Sequence, residues 1–186
     1  FKTVITIRGV GYETNQNAIA TPSVSYHLDG IYIASPYSLQ TEFMDLERIE
    51  VLRGPQGTLF GQNSTGGAIN VITSAPSLDE STSYGDVTFG DYSLLKTRAS
   101  FNRPLNESVA VRASFITNKR DGFTDNLSTG QDLDDADSIS ARVRLLYQPS
   151  DTFRANFTAQ IFDENRNGSA QKGLLDTTPN PRELRQ

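Results

Sequence analysis

The run Ile139-Ser140-Ala141-Arg142-Val143-Arg144-Leu145-Leu146-Tyr147 sets Ile139, Ala141, Val143, Leu145 and Tyr147 on one parity and Ser140, Arg142, Arg144 and Leu146 on the other. Successive side chains of an extended strand point to opposite faces, so this period of two describes a strand with one apolar and one polar face. A helix would gather residues three and four apart and mix the two sets.

The same grammar continues on both sides of that run. Upstream, Val109, Val111, Ala113 and Phe115 alternate with Ala110, Arg112, Ser114 and Ile116, and before them Leu95, Thr97, Ala99 and Phe101 alternate with Lys96, Arg98, Ser100 and Asn102. Downstream, Phe153, Ala155, Phe157, Ala159 and Ile161 alternate with Arg154, Asn156, Thr158, Gln160 and Phe162. Charge enters the apolar parity only near strand ends, at Arg103 and Lys119. The connectors are Gly90-Asp91-Tyr92, Pro104-Leu105-Asn106-Glu107, residues 121–137 and Gln148-Pro149-Ser150-Asp151. After the first, short turns at one end alternate with a long loop at the other, the habit of outer-membrane barrels, whose strands run about 9 to 11 residues. Alternation alone leaves the outward face open, since a soluble ligand-binding barrel alternates too. Five strands cannot close a barrel, because the smallest have about eight. Residues 165–186, polar and rich in Gly, Pro and Asn, read as the start of another long loop.

Composition closes several chemistries. The 186 residues hold no Cys, no Trp and a single His, which leaves no disulfide framework, no thiolate and no His-rich metal site. A net charge of −5 gives no basic field for a nucleic-acid partner. No apolar run approaches the roughly 18 to 20 residues of a spanning helix, so a membrane location requires a barrel. The chain opens at Phe1 inside a strand-like segment, which fits a fragment of a longer protein.

The first part of the chain is written differently. Short apolar runs at 4–7, 24–33, 49–52 and 68–72 are broken by Gly, Pro and Asn and read as small buried strands. Asp29-Gly30 has the residue types a two-residue hairpin needs. Residues 41–48 lack Gly and Pro and contain good helix formers, so one or two helical turns are expected before a strand at Ile49.

Asp45-Leu46-Glu47-Arg48-Ile49-Glu50-Val51-Leu52-Arg53-Gly54-Pro55, running on through Leu59-Phe60-Gly61 to Gly66-Gly67-Ala68-Ile69-Asn70-Val71-Ile72-Thr73, resembles the signature of TonB-dependent receptor plugs. Ile5-Thr6-Ile7-Arg8-Gly9-Val10 and the 24–33 segment with Asp29-Gly30 match two further plug motifs in order, and the resemblance runs to about residue 163. It implies a mainly β fold: a small α+β plug over 1–76, its N-terminal part missing, followed over 77–186 by the first about five antiparallel strands of a transmembrane β-barrel. The chain would then be a fragment of a roughly 22-stranded plugged barrel, ending in an extracellular loop.

The function the resemblance implies is active import across the outer membrane of a Gram-negative bacterium. The cargo would be a scarce small-molecule nutrient such as a siderophore-type chelate, with energy delivered by the inner-membrane TonB complex through a TonB box absent from this chain. Outer-membrane lipid and lipopolysaccharide would surround the barrel. No catalytic residue, resident metal or cofactor is implied. Arg8 and Arg53 fall on the plug arginines that lock onto glutamates of the inner wall, here on later strands. The candidate substrate contacts are the plug tips Tyr12, Asn15, Gln16, Pro36 and Tyr37, because Tyr offers a flat apolar face plus a hydroxyl. A plugged barrel acting mainly as a signalling receptor, or importing a glycan or another nutrient, is the alternative.

Other constellations carry less. Gly61 to Gly67 has the spacing of a phosphate loop but Gly67 where Lys is required. Ser25, His27 and Asp29 share a parity, yet i and i+2 side chains stand about 6 to 7 Å apart, too far for a triad, and His27 reads as a polar hairpin position. The acidic loop containing Asp132, Asp134, Asp135 and Asp137 lacks the glycine of a calcium loop and reads as a solvated outer loop. Parity also predicts that Val143→Arg is costly and Arg142→Gln mild.

Overall fold

The computed structural model describes residues 6–11, 23–34, 44–126 and 129–168. Tyr12, Asn15, Gln16, Pro36 and Tyr37 lie outside them. Two short strands, β1 (Thr6–Ile7) and β2 (Val10–Gly11), pair antiparallel. They precede a sheet of four strands: β3 (Val24–Leu28), β4 (Ile31–Tyr32), β5 (Leu46–Arg53) and β6 (Gly67–Thr73), in the order β4-β3-β6-β5. Asp29 and Gly30, at φ 51° and 79°, make the expected tight turn between β3 and β4. Both positive angles suit the hairpin turn whose twist matches its strands.

β3 runs parallel to β6, from Val24 beside Gly67 to Leu28 beside Val71, while β5 runs antiparallel to β6. The buried apolar groups Val24, Tyr26, Ala68 and Val71 therefore come from the two central strands, each covered by a neighbour on both sides. Gly67 sits at φ 148°, and a Cβ there would collide with the Leu52 carbonyl oxygen and come within 2.8 Å of Ile7 Cδ1. That close approach seats β1 on the sheet.

The helix expected over 41–48 is corrected. Within the described part, Met44 and Asp45 are not helical and the strand begins at Leu46 rather than Ile49. Leu46 pairs with Thr73 and Arg48 with Ile72 across a register shift, so β6 supplies the backbone partners and tertiary pairing overrides propensity. The helical turn among the described residues is instead α1 (Gly57–Phe60), four residues long.

The second sheet contains β7 (Thr82–Gly90), β8 (Leu94–Asn106) and β9 (Val109–Arg120). A small hairpin with strands of two residues each, β10 (Thr124–Asp125) and β11 (Asp132–Leu133), follows inside the expected loop. β12 (Ala136–Ser150) and β13 (Phe153–Glu164) complete the sheet in the order β13-β12-β9-β8-β7, antiparallel throughout.

All strands of this sheet but β7 exceed the expected length. β8 continues through Pro104 with a register shift before Asn106, and β12 reaches Ser150, so most of each short connector is strand. The pleat sorts the faces as parity requires: Ala110, Ser114, Ile116, Ser140, Arg142 and Leu146 are buried, whereas Val143, Leu145, Tyr147 and Phe101 are exposed. The largely polar parity faces the first sheet, and the apolar parity faces away.

Candidate functional site

Each pleat row of the second sheet lines up side chains from neighbouring strands. Asn102, Arg112 and Arg144 sit abreast on β8, β9 and β12, and the next row holds Ser100, Ser114, Arg142 and Gln160. Arginine carries a long apolar stem and a fork of donors, so a row of arginines can reach across a gap and hydrogen-bond whatever stands opposite. Opposite stand the start of β5 and the end of β6.

Asp45, at φ 54° just before β5, receives the whole of one fork. Arg112 Nε donates to its Oδ2 and Arg112 Nη2 to its Oδ1, both at 2.6 Å, and Ser114 Oγ adds a third bond to Oδ2 at 2.6 Å. The pair is largely withdrawn from water, with side-chain exposures of 16% for Arg112 and 10% for Asp45. Burial works to raise the Asp45 pKa, but hydrogen bonds from Arg112 and Ser114 outweigh it and hold the carboxyl below its usual range.

The next arginines grip backbone. Arg142, 5% exposed, donates through Nη1 to the Met44 carbonyl at 3.3 Å and through Nε to Gln160 Oε1 at 3.0 Å. Arg144 Nη1 reaches the Thr73 carbonyl at 3.0 Å, Thr73 Oγ1 at 2.7 Å and the Ser74 carbonyl at 3.1 Å. Asn102 then ties down the chain leading out of β6, pairing with Ser77 N and O and with the Glu80 carbonyl. Buried Tyr26 lies on the same side, and burial pushes its hydroxyl up to about 12 against the opposing charge of Arg142. Beside Asp45 a cavity of about 490 Å³ is lined by Ser74, Tyr84, Arg98, Arg112 and Phe115, so the seam between the sheets is partly open and polar.

The structure thus holds a small mixed sheet against the polar face of an antiparallel one. Residues 1–68 match the family model described as TonB-dependent Receptor Plug Domain. The chain belongs to the TonB-dependent receptors. It is 31% identical over 151 residues to the pesticin receptor of Yersinia pestis, covering 79% of this chain and 21% of that protein. The rhizobactin receptor of Rhizobium meliloti is 30% identical over 158 residues, covering 75% and 21%. Among solved structures, the ferric yersiniabactin uptake receptor FyuA from Yersinia pestis superposes with a TM-score of 0.66 at 26% identity, over 75% of this chain and 22% of that one. The open form of the ferric-catecholate import receptor Fiu from Escherichia coli shares the fold at 19% identity and a TM-score of 0.64, over 86% of this chain and 22% of that one. The chain thus spans about a fifth of the length of these curated relatives.

In this TonB-dependent receptor the residues expected from sequence fall in different places. Arg8 lies at φ 53° in the exposed turn between β1 and β2, and Arg53 is exposed at the end of β5. Among the described residues no ion pair joins either to the wall strands. The described side-chain contacts that do join plug to wall come from Arg112, Ser114, Arg142 and Arg144. The signal of the three arginines in the sequence was charge on the polar parity; their plug acceptors carried none, being one carboxylate, one hydroxyl and several backbone carbonyls. Arg142 is therefore no freely exchangeable lumen residue, and its substitution is expected to disturb the plug.

His27 is corrected as well. It is buried rather than a polar hairpin position, its ring packed 4.9 Å from Phe60 and 5.6 Å from Tyr32. Asp29, which shares its parity, bonds Thr73. In the acidic loop the carboxylates serve the backbone fold: Asp134 accepts from Thr124 Oγ1, and Asp135 from Asn167 N.

Proposed function

We propose that the complete protein is an outer-membrane importer of a siderophore-type chelate or similar scarce nutrient, energised by the TonB complex, and that it performs no covalent chemistry. The observation that carries this reading is the plug sheet docked on the polar wall face through Asp45 and Arg112, with the apolar parity turned outward. That outward face suits lipid, with lipopolysaccharide at its outer margin. The names of the relatives point the same way, since FyuA is a ferric yersiniabactin uptake receptor and the Rhizobium protein a rhizobactin receptor.

In this reading residues 1–76 belong to the plug and 77–186 to the first strands of the barrel. Arg8 and Arg53 are proposed to meet carboxylates of wall strands beyond this chain, where bidentate pairs would hold the plug in register. Tyr12, Asn15, Gln16, Pro36 and Tyr37 are proposed as outward tips that contact the nutrient. The test is uptake of radiolabelled iron, presented as a panel of ferric chelates, by cells carrying or lacking the full-length gene, with and without TonB. Uptake of one chelate that requires both supports importer and energy source together. Uptake unchanged by loss of the gene across the panel removes the siderophore reading.

A further inference from the structure

Arg142 and Arg144 project from the wall into the plug, yet among the described residues neither has a carboxylate at ion-pair distance. Carbonyl, amide and hydroxyl oxygens satisfy some of their donors but leave two positive charges on one strand face, borne by residues whose Cα atoms stand about 6 to 7 Å apart. Buried charge without a countercharge is costly, so the structure should provide one. The carboxylates whose fields reach Arg142 are Asp29 and Asp45, and Asp45 is already committed to Arg112.

Asp29 stands in the β3–β4 turn and connects to Arg144 through one side chain. Its Oδ1 accepts from Thr73 N at 2.8 Å and its Oδ2 from the Thr73 hydroxyl at 2.7 Å. With its proton committed to Asp29, Thr73 Oγ1 presents its lone pairs to Arg144 Nη1 at 2.7 Å. The turn is also fixed by Asp29 N on the Val71 carbonyl and by Gly30 N on Asn70 Oδ1.

We infer that Asp29 is a positioning residue: the countercharge of Arg144, relayed through the Thr73 hydroxyl, which sets the plug hairpin in register on the wall. The contact is a second latch, relayed where the Asp45 one is direct. It rests on the plug lying inside the assembled barrel, and is independent of the nutrient carried.

The test is a double-mutant cycle in the full-length receptor, read by amide hydrogen exchange of peptides spanning 24–34 and 67–76. Asn tolerates the positive φ of position 29, so Asp29→Asn removes the charge and an acceptor while sparing the turn. Asp29→Asn, Thr73→Val and Arg144→Gln are each expected to speed exchange roughly tenfold, the scale of a lost hydrogen bond to a charged group. Because one chain of contacts is broken in each, Asp29→Asn with Arg144→Gln should exchange no faster than the worse single variant, and Thr73→Ser should retain protection. If Arg144→Gln fails to assemble, Arg144→Lys takes its place in the cycle. Additive effects of Asp29→Asn and the Arg144 variant, or unchanged exchange in Asp29→Asn, would overturn the relay. If the unmutated receptor takes up no ferric chelate while the cycle behaves as expected, the proposed import fails and the relay stands.

Discussion

Asp45 gains its role from three short bonds to one carboxylate, made where water is mostly excluded. Truncating one partner of such a pair strands the other charge, which costs more than the intact pair contributes. Asp45→Asn is therefore expected to destabilise plug docking by about 2 to 3 kcal/mol, read as faster exchange of the 44–53 amides in the assembled receptor. The sign of its pH dependence follows from the depressed carboxyl. The stabilisation is fully present above the ordinary carboxylate pKa of about 4 and is lost as pH falls through the lower folded-state value. Asp45→Asn should flatten that acid limb, and a wild-type receptor whose plug protection stays constant down to pH 2 would contradict the assignment.

At the level of elements, the wall strand β12 and the plug strand β6 are each tested by one position. Val143 is central in β12 and half exposed on the apolar parity, so Val143→Arg should cost about 2 to 4 kcal/mol in reversible unfolding of the complete barrel in lipid. Arg142→Gln, one residue away on the plug side, should leave that unfolding free energy nearly unchanged but accelerate exchange around Met44, whose carbonyl it releases. Equal effects of the two substitutions on barrel unfolding would refute the sorting of faces. In β6, Gly67→Val must place a branched side chain against the Leu52 carbonyl and Ile7 at φ 148°. The expected loss is about 2 kcal/mol or more of plug stability, visible as protease sensitivity of residues 46–73 with the barrel still assembled.

For the whole molecule, the polar seam implies that the plug is a separable body held by a limited set of contacts, not a continuous apolar core. Arg53→Ala is expected to add leakage of large antibiotics through the full-length protein without preventing barrel assembly, if wall carboxylates beyond this chain pair with it. Unchanged single-channel conductance and unchanged plug exchange would argue against that lock. Tyr37→Ala should weaken nutrient binding roughly five- to thirtyfold at normal expression, the loss of one aromatic contact worth about 1 to 2 kcal/mol. The Asp29-Gly30 turn lies beside Thr73, where β6 hands over to the segment entering β7, so β4 runs away from that end.

Period-two alternation determined the wall strands and their two faces, because side-chain direction in a strand depends only on residue parity. The Asp-Gly pair determined the plug hairpin, because positive φ is a local property of those residues. Other features depended on partners distant in the chain. Leu46 to Arg48 became strand because β6 lay alongside, and His27 became core because Phe60 and Tyr32 closed over it. Parity could mark Arg112, Arg142 and Arg144 as inward, but not what they would meet. Their acceptors on the plug are Asp45, 67 residues from Arg112 in sequence, the Thr73 hydroxyl, and the carbonyls of Met44, Thr73 and Ser74, which look like any other backbone until the two sheets are brought together.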